Sequence, residues 1–217
     1  MAPKSWVEHT DDTPIINKNV ALLDAQMAQD AGRRTPFTLD VPREWHTAIH
    51  AGCAHVPRPE YIGRYRGEAA GHIKFYNVDF PPFRGAPHAE VLPRLETLEA
   101  QVQHRLETWD AQIPEPDAAT LARLNPVIDG LAVIYATWLR IHPFADGNGR
   151  SARLLANWVT TRYWQPPILP GRPIDGRNTL VAATSPAIPE NGPDYRPLIL
   201  ELRRRLRDAR AAAASGA

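Results

Sequence analysis

Only one cysteine, Cys53, occurs in 217 residues. An intramolecular disulfide framework and a metal site of several thiolates are therefore excluded. Cys53 reads as a small buried hydrophobe. No apolar run approaches the length of a membrane span, so no membrane partner is expected. Net charge is nearly absent: 25 basic against 24 acidic residues leave +1. That balance gives no electrostatic case for nucleic acid as a bulk partner. The stretch from Met1 to Asp12 is polar and acidic, without the apolar region of a signal peptide. A cytoplasmic location is the expectation, with delivery into another cell by a signal-less route as the alternative. There is no internal repeat, and no linker-like composition sets off a separate N-terminal domain.

What is present in quantity is proline, at 22 residues. It clusters near 57–59, 81–87, 114–116, 166–173 and 186–197, and punctuates the chain there. Residues 1–16 read as an extended or weakly ordered arm and 17–32 as a helix closing near Gly32. A helix over 40–54 has Asp40 as cap, Pro42 in its first turn, and Trp45, Ile49 and Cys53 at four-residue spacing. Residues 57–71 read as a loop. His72 to Val78 is rich in β-formers and predicts a short strand or half of a hairpin, ended by Pro81, Pro82 and Pro87. Apolar stripes predict helices over 88–110, 117–140 and 150–163. Residues 178–185 read as a short helix or loop, 194–210 as a last helix, and 211–217 as a frayed tail. The basic stretch Arg203 to Arg210 reads as a solvated helix face.

The most informative segment is His142-Pro143-Phe144-Ala145-Asp146-Gly147-Asn148-Gly149-Arg150-Ser151-Ala152-Arg153. It lies between two predicted helices. Gly147-Asn148-Gly149 permits the tight turn of an anion nest, and the following helix aims free amides and its positive dipole end at that turn. Arg150 and Arg153 are three apart, share a helix face, and suit a di- or triphosphate. Asp146 offers a hard oxygen that can hold Mg²⁺ against the phosphates. His142 can take a proton from an attacking hydroxyl. Asn148 can donate to a phosphoryl oxygen. Phe144 plugs the loop into the core. Taken singly, an Asp-Gly or Asn-Gly pair is a turn, Asp146 a helix cap and His142 a loop residue. Their occurrence together at this spacing is what the bland reading does not explain.

The pattern His-Pro-Phe-x-Asp-Gly-Asn-Gly-Arg-x-x-Arg resembles the signature of Fic-domain proteins, and it is complete here. The resemblance extends, in order, over roughly 40–165, including Gly63-Arg64-Tyr65-Arg66 and Phe80-Pro81-Pro82. It implies an all-α, mostly helical Fic fold with a small β-hairpin flap: an N-terminal arm and helix over 1–35, the Fic domain over 36–210, and a tail. It implies transfer of AMP from ATP, with Mg²⁺, to a Ser, Thr or Tyr hydroxyl of a target protein. His142 is then the general base, Asp146 the metal ligand, and Asn148 a phosphate contact. Gly147 and Gly149 form the anion hole, and Arg150 and Arg153 hold the distal phosphates. The flap, placed at His72, Ile73, Lys74, Phe75 and Tyr76, aligns the target by strand-like pairing. Kinase-like relatives carry lysine in place of Gly149 and lack the second arginine, so this chain favours nucleotidyl transfer.

One departure concerns regulation. Many family members carry an inhibitory Ser/Thr-x-x-x-Glu-Gly/Asn pattern. No glutamate here has Ser or Thr four residues before it: Lys4 precedes Glu8 and Pro186 precedes Glu190. Internal inhibition of that type is not expected, and a separate small antitoxin protein supplying the glutamate is the expected partner, unless regulation differs. The motif contacts phosphates and does not read the base. UTP, GTP or CDP-choline as donor, a small-molecule acceptor, and a non-catalytic nucleotide- or partner-binding module therefore stay open.

Overall fold

The computed structural model describes residues 6–169 and 179–215. Helix α1 runs over Thr13–Gln29, with Pro14 in its first turn, after a 3-10 turn at Thr10–Asp12. The expected extended arm is thus corrected: Ile16, Val20 and Met27 share one buried stripe, so the helix starts where that stripe starts. Trp6 ahead of it is buried as well. Helix α2, Asp40–Ile49, is shorter than expected. Asp40 lies inside its first turn and is not its cap; the Leu39 amide at the cap position donates instead to the Glu99 carboxylate at 2.8 Å. Cys53 is half-buried at the edge of the core.

A two-stranded antiparallel hairpin follows, β1 Asp79–Phe80 and β2 Phe83–Arg84, with Asp79 opposite Arg84 and Phe80 opposite Phe83. Helices α3 (His88–Gln112), α4 (Leu121–Ile141) and α5 (Asn148–Arg162) then form the centre. In α4, Leu124, Ile128, Leu131, Ile134 and Trp138 are all buried, which its nearly all-apolar sequence predicts. The Trp138 indole N–H donates to the Ser151 hydroxyl at 3.0 Å and ties α4 to α5 where the motif loop joins them. Asp110 of α3 receives a two-pronged Arg162 guanidinium and the Tyr163 hydroxyl, fixing the far end of α5.

Helix α6, Thr179–Thr184, and α7, Arg196–Ser215, close the chain. The tail is helical through Ser215 rather than frayed from 211, because alanine-rich 211–214 has the strongest helix propensity. Leu198, Leu202 and Leu206 bury one face of α7 against α4. Its basic stretch is taken up within the molecule: Arg203 grips Asp129, and Arg204 and Arg205 pair with Glu201. That is a paired, partly solvated helix face. Among the described residues, no helix is long and apolar enough to cross a membrane.

Candidate active site

Helix α4 ends at His142, which adopts a left-handed conformation (φ 55°, ψ 58°). A residue with a side chain resists that geometry by about 1–2 kcal/mol, so it must be held. Arg66 holds it. This fully buried guanidinium donates to the carbonyls of His142 (2.7 Å), Ile141 (2.8 Å), Ala86 (2.9 Å) and Tyr76 (3.0 Å). Burial lowers the Arg66 pKa to about 10, which still leaves it cationic at neutral pH. Gly85 passes so close that a Cβ there would lie 2.8 Å from His142 Cβ.

The imidazole Nδ1–H of His142 donates to the Leu139 carbonyl at 3.1 Å. The proton on Nδ1 leaves a lone pair on Nε2, the tautomer a general base needs. Burial pushes the His142 pKa down to about 4, more than offsetting that hydrogen bond, so the ring is neutral at physiological pH. Phe80 of the hairpin stacks on it, with ring centroids 4.1 Å apart and planes 9° apart.

Gly147, at φ +77°, makes the turn into α5, and its carbonyl accepts the Arg150 and Ser151 amides. The first amides of α5 have no intrahelical partner and face the turn, as an anion nest requires. A Cβ on Gly149 would meet nothing within 4 Å, so this residue leaves open the seat an anion would take. Asp146 Oδ1 accepts the Gly147 amide at 2.6 Å. Its Oδ2 is buried without a hydrogen-bond partner, 3.7 Å from the Arg150 guanidinium. An orphaned carboxylate oxygen at the rim of a phosphate nest fits a divalent cation.

Asn148 does other work than expected. Its side-chain amide is buried and spent at both ends on Phe144, accepting from the backbone N–H at 2.8 Å and donating to the carbonyl at 2.9 Å. Those two bonds close the loop. Phe144 is fully buried and stacks on His46, with centroids 4.0 Å apart.

The flap is also displaced from its expected place. His72, Ile73, Lys74, Phe75 and Tyr76 do not form a strand: Gly71–Phe75 is a 3-10 turn. Burial falls at Ile73 and Tyr76, three apart, where a strand needs a spacing of two. The hairpin lies at 79–84, and Pro81-Pro82 form its turn instead of ending a strand.

Two features went unseen in the sequence. Glu8 from the N-terminal segment forms an ion pair with Arg150, both side chains largely buried. Trp6 anchors that segment, packing against His50 at 4.7 Å and donating its backbone N–H to the Tyr76 hydroxyl at 2.7 Å. Beneath the nest, His46 donates from Nε2 to the Asp146 carbonyl (3.0 Å) and accepts the Gly63 amide on Nδ1 (3.0 Å). His50 beside it is buried with neither ring nitrogen bonded. Burial lowers the pKa of His46 to about 3 and of His50 to about 2. The i, i+4 spacing of His46 on α2 and His50 at its C-terminal cap was legible; what lies over them was not. Glu190, which lacks a Ser or Thr four residues before it, forms an ion pair with Arg94 of α3.

Two cavities meet at His142, Gly149 and Arg153. One, about 500 Å³, is polar and lined by the nest, Asp146, Arg150 and the segment Trp6–Glu8. The other, about 390 Å³, is mostly apolar and walled by Phe80, Phe83, Tyr135, Leu139, Leu180 and Ile188.

The fold is a helical domain in which the turn carrying His142 leads through a glycine turn into the start of α5. The chain matches the Fic/DOC family over residues 36–160 and belongs to it. It is 36% identical over 83 residues to "Protein adenylyltransferase fic-1" of Caenorhabditis briggsae, spanning 38% of this chain and 15% of that protein. It is 33% identical over 133 residues to "Protein adenylyltransferase Fic" of Nematostella vectensis, spanning 61% of this chain and 25% of that protein. The chain thus matches at most about a quarter of the length of these curated relatives. A Fic domain containing signaling protein from Bacteroides thetaiotaomicron superposes with a TM-score of 0.63 at 20% identity, covering 98% of this chain and 76% of that one. That likeness establishes the helical fold with its small hairpin.

Proposed function

We propose that the protein transfers AMP from ATP to a Ser, Thr or Tyr hydroxyl of another protein. The observation that carries this reading is the neutral His142, its Nδ1 proton held by Leu139, on the rim shared by the polar and apolar cavities. Nε2 takes the hydroxyl proton as the oxygen attacks the α-phosphorus. The new P–O bond replaces the bond to the β-phosphate oxygen, and pyrophosphate leaves. The nest at Gly147 and Gly149 stabilises the phosphoryl charge, and Arg150 and Arg153 bind the distal phosphates. Asp146 would hold Mg²⁺, which when bound neutralises phosphate charge. The aromatic-walled cavity suits a nucleobase, and the hairpin at 79–84, not 72–76, is the edge on which an acceptor segment would pair.

The Glu8–Arg150 pair favours a brake carried by the chain itself. With that carboxylate in place, the distal-phosphate cation is already neutralised. A separate antitoxin is the second reading, and its glutamate would compete for the place Glu8 holds.

Intact-mass spectrometry after incubation with Mg²⁺ and each nucleoside triphosphate, with and without candidate acceptors in lysate, tests the activity. The expected result is gain of one AMP on an acceptor, absent with His142→Ala. A phosphate-sized gain, or gain of another nucleotide, overturns the AMP assignment.

A further inference from the structure

Outside the nucleotide site, three ligand-type side chains from two separate segments converge. His9 and His55 lie 46 positions apart in the chain, yet their imidazoles stack with centroids 4.0 Å apart and planes 18° apart. Asp11 joins them, its carboxylate 3.6 Å from His9 Nδ1. One ligand atom from each of the three falls within 4.8 Å of the others. Tetrahedral coordination at bonds of about 2.0–2.1 Å needs ligand atoms roughly 3.3 Å apart. All three side chains are exposed, so their rotamers are not fixed by packing.

A second feature matches what surrounds built metal sites. Asp12 is buried and accepts the backbone amides of Ala54 and His55 at 3.0 Å each. Its Oδ1 also lies 3.3 Å from His55 Nδ1. The Asp12 carboxylate accepts from His55 Nδ1–H and leaves the Nε2 lone pair free as a metal ligand, the carboxylate–histidine–metal relay. Two imidazoles and one carboxylate make a donor set for zinc-like ions and not for Mg²⁺, which takes oxygen ligands.

We propose that His9, Asp11 and His55 form a site for a divalent transition ion of the zinc class. Such an ion joins the N-terminal segment to the chain following α2. His9 is the neighbour of Glu8, so the ion fastens the carboxylate that grips Arg150. This consequence rests on the nucleotide-site reading; the metal site itself does not.

Untagged protein titrated with zinc chloride in a calorimeter, in millimolar Mg²⁺ and without nucleotide or acceptor, tests the site. About one zinc per chain is expected, weakened about tenfold or more by His9→Ala or by His55→Ala, with unchanged circular dichroism. No zinc uptake, or uptake unaltered in the double variant, overturns the site. Hydrogen exchange of the backbone over 6–12 is the second readout. Zinc should slow it in the wild type and not in the double variant; equal exchange with and without zinc overturns the fastening.

Discussion

Phe80 lies flat on the His142 imidazole, 4.1 Å away between ring centroids, so the hairpin roofs the group proposed to take the proton. The stack excludes water from one face of the ring and fixes its plane. Phe80→Ala should lower the transfer rate by about ten- to a hundredfold through loss of alignment. Readmitted water should also raise the His142 pKa from about 4 towards its ordinary value. The acid limb of kcat/KM then moves up in pH. A rate–pH profile of the variant with its acid limb unmoved would show that Phe80 does not shield the base.

Removing the base itself separates chemistry from binding. His142→Ala should cut transfer by about 10²–10⁴-fold while nucleotide affinity changes little, because the proposed phosphate seat is the nest and the arginines. Affinity measured by calorimetry and transfer measured by mass spectrometry make the comparison. Loss of less than about tenfold in rate would remove His142 from the proton-transfer role.

Glu8→Gln keeps the size of the side chain and removes the charge facing Arg150. Losing one charge-assisted contact of about 1.5 kcal/mol corresponds to roughly a tenfold change, so transfer should rise by about tenfold or more. Initial rates at subsaturating ATP are the readout. Equal rates in wild type and variant would mean that Glu8 does not compete with phosphate.

These contacts also mark where reading the sequence stops. The motif was legible because its chemistry is local: His142 and Arg153 lie within twelve residues, and one helix start organises them. The stripes of α3, α4 and α5 were legible because burial follows their period. The hairpin was misplaced because His72 to Val78 has β-forming composition, while Ile73 and Tyr76 bury with a period of three. Pro81-Pro82 likewise read as an end and proved to be a turn. Arg66 reaches His142 across 76 positions and Glu8 reaches Arg150 across 142, and no periodicity announces contacts at such range. Asn148 has the amide chemistry for a phosphate and spends it on Phe144, a choice that only the loop's folded geometry decides.

The two nest glycines should behave differently. Gly149→Ala places a methyl where nothing lies within 4 Å, so the fold should keep its melting temperature within a degree or two, while the methyl fills the anion seat and weakens ATP binding. Gly147→Ala faces both a left-handed φ and ring nitrogens 3.2–3.3 Å away, so it should destabilise the fold by about 1–2 kcal/mol. Thermal melts with calorimetric ATP titration check both. A Gly149→Ala protein that binds ATP normally would take Gly149 out of the phosphate seat.

His46 and His50 predict acid sensitivity. Both have pKa values lowered by burial, to about 3 and about 2, below the ordinary value near 6.5. Between those limits the unfolded chain binds more protons than the folded one, so stability falls as pH drops through 6.5 and goes on falling to the folded values. At pH 5 each histidine costs about 2 kcal/mol relative to neutral pH. His46 cannot be replaced cleanly, since it bonds both Gly63 and Asp146. His50 can, because neither of its nitrogens has a partner. His50→Phe should leave stability at pH 7.5 near the wild-type value and recover about 2 kcal/mol at pH 5. Urea midpoints at the two pH values measure this directly, and an identical pH dependence in the variant would mean that His50 is not the buried neutral ring the geometry describes.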